Sequence, residues 1–197
     1  HFHDGIDSWI VRWKLSVTDT RNLYIVIAQV LEKAGQMGTS FGYLVKYLST
    51  FSGEALSDDA QKVGVKAVVA AIKAPVASLT DRRVLYASLK KQKLGSSDLN
   101  TLVTLLKIFV EGTVADYESF NNENANVIKM YDIDNETVIH SIRLLTLCAL
   151  CSQEQNLSYD KIASALGVEV EEVEMWVVNA ISENLMEAKL DQAMSTV

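Results

Sequence analysis

The chain has 197 residues, 49% of them hydrophobic and 22% charged, with 18 Lys and Arg against 25 Asp and Glu. Its net charge of −7 and pI near 5.0 speak against nonspecific attachment to nucleic acid or an anionic membrane, since both need surplus cations. One Pro and nine Gly, with few strand-like runs, favour an all-helical chain. No apolar run reaches the ~18 residues of a membrane span, and no signal peptide is expected. Because it begins at His1 rather than Met, the chain is expected to be a piece of a longer protein. Two Cys are poor grounds for an oxidising compartment, so cytoplasm or nucleus is the default.

The spacing predicts a short helix over 6–14 carrying Trp9 and Trp13 one turn apart. These two read either as an aromatic pair packed on the next helix or as an exposed partner-binding face, where Trp is a common anchor. Thr18 or Asp19 can cap the next helix, whose stripe is Leu23, Val26, Ile27, Val30, Leu31 and Ala34. Ile25 lies on the opposite side, as expected of a helix held between neighbours. Gly35 and Gly38 punctuate its end. Phe41, Leu44, Val45 and Leu48 form a third stripe, and 52–57 read as a loop. Ser57 and Asp58 suit a helix start. Val65, Val68, Val69 and Ile72 then share a face, while Ala67, Ala70, Ala71 and Ala74 allow close approach.

Pro75 ends that helix. Thr80 and Asp81 open a short one holding Val84 and Leu85. Arg82, Arg83, Lys90, Lys91 and Lys93 make the densest basic cluster, read as a solvated loop and helix end. After a break at 95–98, Leu99, Leu102, Val103, Leu106 and Phe109 or Val110 recur at helical spacing. Gly112 marks a turn. A helix over 114–121 weakens at Asn121, Asn122, Asn124 and Asn126, and a short helix near 127–131 follows. Helix starts every 15 to 25 residues suggest an antiparallel, solenoid-like array over 1–132.

Residues 133–197 have the layout of a winged helix. Val138, Ile142, Leu145 and Ala149 face one side of a helix over 135–153. Ser158 caps a helix with Tyr159, Ile162, Ala163 and Leu166, and Gly167 supplies the turn. Val173, Trp176, Val177, Ala180, Ile181 and Leu185 then trace a third helix. Met186, Ala188 and Leu190 alternate with Glu187, Lys189 and Asp191, the period of a strand. Residues 194–197, starting at Met194, would begin the returning strand of a truncated wing. Glu171, Glu172, Glu174 and Glu183 belong to the third helix, which has no Lys or Arg. A phosphate backbone repels such a surface, so direct binding of nucleic acid is not expected.

Catalytic and metal chemistry finds little support. Cys148 and Cys151 form a C-x-x-C, but it follows Leu144, Leu145 and Leu147 deep in a helix, where thiols act as small hydrophobes. A second Cys pair for a zinc site is missing. His1 and His3 sit at the chain start, and His140 reads as a surface or satisfied histidine. Three His allow no Ser-His-Asp constellation, and no phosphate-cradling G-x-x-x-x-G-K-[ST] loop occurs. The sequence assigns no catalytic, cofactor-binding or metal-ligating residue.

Four segments resemble the PCI-domain family of the proteasome lid, the COP9 signalosome and translation initiation factor three. They are 9–15 (WIVRWKL), 99–120 (LNTLVTLLKIFVEGTVADYESF), 142–146 (IRLLT) and 186–192 (MEAKLDQ). An initiation-factor member fits best, because about ninety-five residues of array precede Leu99. A signalosome member is the alternative, given its similar L-L-K-I-F and G-T-x-x-D-Y stretch, here Leu105 to Phe109 and Gly112, Thr113, Asp116 and Tyr117. The resemblance implies an all-α helical-repeat array followed by a C-terminal winged helix with a small β wing. It implies a non-enzymatic, cytoplasmic scaffold without a cofactor. Its partners would be other PCI-containing subunits, with the small ribosomal subunit contacted indirectly. The residues expected to dock are Met186, Ala188, Lys189, Leu190, Asp191 and Met194 of the wing, with Trp9 and Trp13 upstream.

Overall fold

A computed structural model describes residues 2–74, 79–154, 156–188 and 196, with the side chains of 2–4 and 79–81 excepted. The described residues form ten α-helices: α1 (Phe2–Trp13), α2 (Val17–Lys33), α3 (Met37–Ser49), α4 (Asp58–Lys73), α5 (Leu79–Leu89), α6 (Ser97–Glu111), α7 (Val114–Met130), α8 (Asn135–Gln153), α9 (Tyr159–Leu166) and α10 (Val173–Ser182). A 3₁₀ turn, Val170–Glu172, leads into α10. Among the described residues, β-pairing is limited to two isolated bridges, Ala55 with Lys93 and Ser158 with Thr196. Packing gathers the chain into two compact units, His1–Ala67 with Ala87–Leu99, and Val68–Tyr86 with Asn100–Val197.

In the first unit the core is built from Tyr43, Leu44, Tyr47, Leu48 and Phe51, around α3. Asp7 of α1 accepts from Lys46 at 2.6 Å and from Tyr24 at 3.0 Å, tying α1 to α3 and α2. The Lys46 ammonium holds the Asp7 carboxyl below the usual range, and burial with Asp7 alongside pushes Tyr24 up to about 12. The α2 cap is Ser16, whose Oγ accepts from the Asp19 N–H at 3.1 Å, two residues before the expected Thr18. The α2 stripe is also rotated. Ala28 and Leu31 are buried, whereas Val26 and Val30 are exposed. Apolar spacing marks a face; the neighbouring helix decides which face is covered. Gly64 of α4 is buried, and a Cβ there would stand 3.2 Å from the Leu99 side chain.

In the second unit α6 buries Leu102, Val103, Leu105, Leu106, Ile108 and Phe109, so it is apolar on nearly every side, as a central helix must be. Gly112 follows its end; a Cβ there would meet the Ile108 backbone at 2.8 Å. Thr113 and Asp116 then form a capping box that starts α7. This helix continues through the Asn-rich stretch but kinks at Asn124, whose side-chain amide donates to the Phe120 carbonyl at 3.1 Å. Asp134 caps α8 by accepting from the Thr137 N–H at 2.9 Å, and α8 spans the predicted residues. Its buried face is Val138, Ser141, Ile142, Leu144 and Leu147; Ala149 is exposed and Leu145 half-buried.

Arg82 departs from the solvated basic cluster expected of it: it is fully buried. Its Nε donates to the Ala71 carbonyl at 2.8 Å, Nη2 donates to the Ala74 carbonyl, and the guanidinium lies 5.1 Å from the Phe109 ring centre. The last carbonyls of α4 lack helical partners and carry the negative end of its dipole, so they suit a cation. Burial pushes the Arg82 pKa down, yet arginine keeps its proton in proteins. Arg82→Met keeps the volume and strands both carbonyls. Each unsatisfied group costs about 1–3 kcal/mol, offset by relief of guanidinium desolvation, so a net loss on the order of 2 kcal/mol is expected. Urea unfolding of the two proteins measures it, and an unchanged midpoint would mean the clamp has no net worth.

Candidate docking site

The C-terminal module is assembled around one apolar cluster. Leu144 and Leu147 of α8, Ile162, Ala163 and Leu166 of α9, and Val173, Trp176, Val177 and Ala180 of α10 meet there with Leu157 and Tyr159. Ser158 caps α9 by accepting from the Lys161 N–H at 3.4 Å. Gly167 closes α9 at φ 62°, a left-handed conformation that favours glycine. Arg143, from α8, then donates to the Leu166 carbonyl at 3.0 Å and the Gly167 carbonyl at 3.1 Å. Its guanidinium lies 5.4 Å from the Trp176 ring centre, and the His140 ring lies 5.1 Å from it. One side chain thus fixes the turn between α9 and α10 and the orientation of α10. His140 is half-buried, its ring tilted at 44° to that of Trp176.

The expected docking residues fall into three groups. Met186 and Ala188 are half-buried against the C-terminal cluster, and no strand pairs through them among the described residues. Lys189, Leu190, Asp191 and Met194 lie outside the described residues. Next to them in sequence, Thr196 forms an antiparallel bridge with Ser158. Trp9 and Trp13 belong to the first unit and stack with ring centres 5.6 Å apart at 25°; Trp9 is half-buried and Trp13 exposed. Trp9 and Trp13 thus belong to the first compact unit, and Met186 and Ala188 to the second.

A further surface escaped the sequence reading. The outer face of α10 presents Met175 and Val178, each 50% exposed, and Ile181 at 37%. Ile181 matches the inward stripe by spacing, yet the cluster closes on Val173, Trp176, Val177 and Ala180 without it. Met175 and Val178 were legible only as apolar residues off the stripe. Of the acids, Glu171 and Glu172 lie in the 3₁₀ turn and Glu174 in the first turn of α10, where the helix dipole favours them. Glu183 sits at its C-cap. Glu174 accepts from the Tyr159 hydroxyl at 3.1 Å. Among the described residues no group of three or more His, Cys, Asp or Glu is gathered as a metal site, and no helix is long and apolar enough to cross a membrane.

Residues 121–197 match the model of the PCI domain, and this part of the chain belongs to the PCI-domain family. Along nearly its whole length the chain is similar to eukaryotic translation initiation factor 3 subunit M. It is 34% identical to that of Chaetomium globosum over 96% of this chain and 45% of the relative. The figures are 33%, 97% and 44% for that of Phaeosphaeria nodorum, and 32%, 95% and 46% for that of Dictyostelium discoideum. The chain thus spans less than half the length of these relatives.

Cys148 and Cys151 are free and half-buried in α8, and Cys151 packs on the C-terminal cluster. Burial pushes the Cys148 thiol up, with Cys151 adding to it, and burial pushes Cys151 up as well. Both stay protonated at neutral pH, and the thiolate is the reacting form. Labelling by a thiol reagent in the native state should be slow at pH 7 and rise with pH to beyond about 9. Rapid labelling at pH 7, equal to that of the unfolded chain, would contradict this environment.

Proposed function

We propose that the chain is a non-enzymatic scaffold subunit of the translation initiation factor 3 complex, docking neighbouring subunits through its PCI domain. The observation that carries this reading is the similarity to subunit M over nearly all of the chain. In this reading, residues 1–132 form a helical-repeat array and 133–197 a winged-helix subdomain with a truncated wing. Support for the wing comes from the Gly167 turn between α9 and α10 and from the Ser158–Thr196 bridge. The complex is cytoplasmic and meets the small ribosomal subunit through its other subunits. Trp13, exposed in the first unit, offers a second contact to a neighbouring subunit.

Affinity capture of the chain from a lysate of its own cells, read by mass spectrometry, tests membership. Co-purifying initiation factor 3 subunits are expected; signalosome or proteasome-lid subunits in their place would replace the reading. A nucleic-acid-binding winged helix is disfavoured by the acidic entry to α10, and it would reveal itself as RNA binding at low salt with a steep salt slope. Docking by a wing edge makes a sharper prediction. Lys189→Pro removes one backbone donor and should weaken assembly while the melting temperature holds. Full assembly by a folded Lys189→Pro chain would remove the wing edge as an essential contact.

A further inference from the structure

The outer face of α10 combines two properties that rarely coincide on a solvated helix. Its centre is apolar and exposed among the described residues: Met175, Val178 and Ile181 are spaced i, i+3 and i+6, so they share one side of the helix. Its own stretch of chain carries one sign of charge. Between Lys161 and Lys189 the chain contains Glu169, Glu171, Glu172, Glu174, Glu183 and Glu187 and no Lys or Arg. Glu171 precedes Met175 by about one turn, and Glu174 precedes Val178 by one turn, so acids border the apolar centre on the entry side. The face is also rigid, because Trp176, Val177 and Ala180 anchor the opposite side in the C-terminal cluster.

Charge selects the occupant. A second copy would bring a like-charged face against this one, and RNA or an anionic membrane would be repelled. A ridge of three apolar side chains with a one-signed border suits an amphipathic helix read through apolar anchors at i, i+3 or i+4. Complementarity across such a contact requires cations on that helix. We propose that the α10 face binds a basic amphipathic helix of another protein, with Met175, Val178 and Ile181 taking its apolar residues and the exposed Glu171 its Lys or Arg. This rests on the reading of the chain as a docking subunit and adds the site and the chemistry of its partner; the wing edge is not needed for it.

The test uses the chain with ¹³C-labelled methionine methyls, titrated with an amphipathic Leu/Lys helical peptide and with its Leu/Glu counterpart. The Met175 methyl should shift and saturate with the Leu/Lys peptide alone. Met37 and Met130 are exposed elsewhere and report nonspecific binding. Val178→Glu should abolish the shift while the other methyl resonances keep their positions, which shows the fold intact. Glu171→Lys should weaken binding about tenfold at low salt and much less at high salt. Equal response to both peptides would overturn the proposal, as would uniform shifts of all three methyls. A Met175 shift driven by chain concentration alone would assign the face to a second copy, and one driven by an RNA oligonucleotide would assign it to nucleic acid; each overturns it. Capture of the wild-type chain with a complex separately tests the underlying reading. If that capture succeeds but Val178→Glu assembles fully and the peptide does not bind, the proposal fails and the reading stands.

Discussion

Helix ends impose the constraint on which this structure depends. Each α-helix leaves four N–H and four C=O groups without helical partners, and a chain of short helices multiplies them. The N-terminal ends are met locally by Ser16, Ser57, Ser96, Thr113, Asp134 and Ser158, each accepting from an N–H three residues on. Several C-terminal ends are met from far away in sequence. Arg21 donates to the Thr50 carbonyl after α3, Arg82 to the Ala71 and Ala74 carbonyls at the end of α4, and Arg143 to the Leu166 and Gly167 carbonyls at the end of α9. Gln92 does the same without charge, donating to the Leu48 carbonyl at 2.6 Å near the end of α3.

The three arginines share a second feature. Each guanidinium lies over an aromatic ring: Phe51 at 3.6 Å for Arg21, Phe109 at 5.1 Å for Arg82 and Trp176 at 5.4 Å for Arg143. Stacking suits the planar, weakly hydrated guanidinium, while the fork of N–H donors can satisfy two carbonyls at once. A lysine, with its compact ammonium, would do neither well. The chain holds five arginines, so three of them are committed to closing helices rather than to the surface. An acidic protein that uses its strongest cations internally has fewer left for phosphate contacts, which agrees with the docking reading.

Helix limits were largely legible because caps and breakers act locally. Asp134, Ser158 and Gly167 fix the limits of α8 and α9 through hydrogen bonds and backbone conformation confined to a few residues. Faces were less legible, because a stripe is defined by what covers it. In α2 the spacing fits Val26 and Val30 as well as Ala28 and Leu31, and the packing of neighbouring helices, α3 foremost, separates them. In α8 the buried side turned from Leu145 and Ala149 towards Leu144 and Leu147. Arg82 was misread for a similar reason. A charged residue beside Arg83 looks solvated in sequence, and its carbonyl partners at Ala71 and Ala74 carry no side-chain signature. Of the residues expected to dock, sequence periodicity could suggest Met186 and Ala188 as a strand, but not that the C-terminal cluster would half-bury them.

The α10 surface follows from these internal choices. Arg143 pins the Gly167 turn and lies over Trp176, so the rotation of α10 about its axis is set from inside the module. With Val173, Trp176, Val177 and Ala180 turned inward, the helical period places Met175 and Val178 outside, and Ile181, at the edge of the inward stripe, is left 37% exposed. Exposing three apolar residues costs solvation that polar residues would avoid, and no packing demand inside the module requires apolar character there. The Glu residues leading into α10 are favoured by its dipole, so they stabilise the helix in isolation and at the same time set the sign of charge beside the apolar ridge. Core register thus decides where the ridge lies, and helix electrostatics decides which partners it can accept.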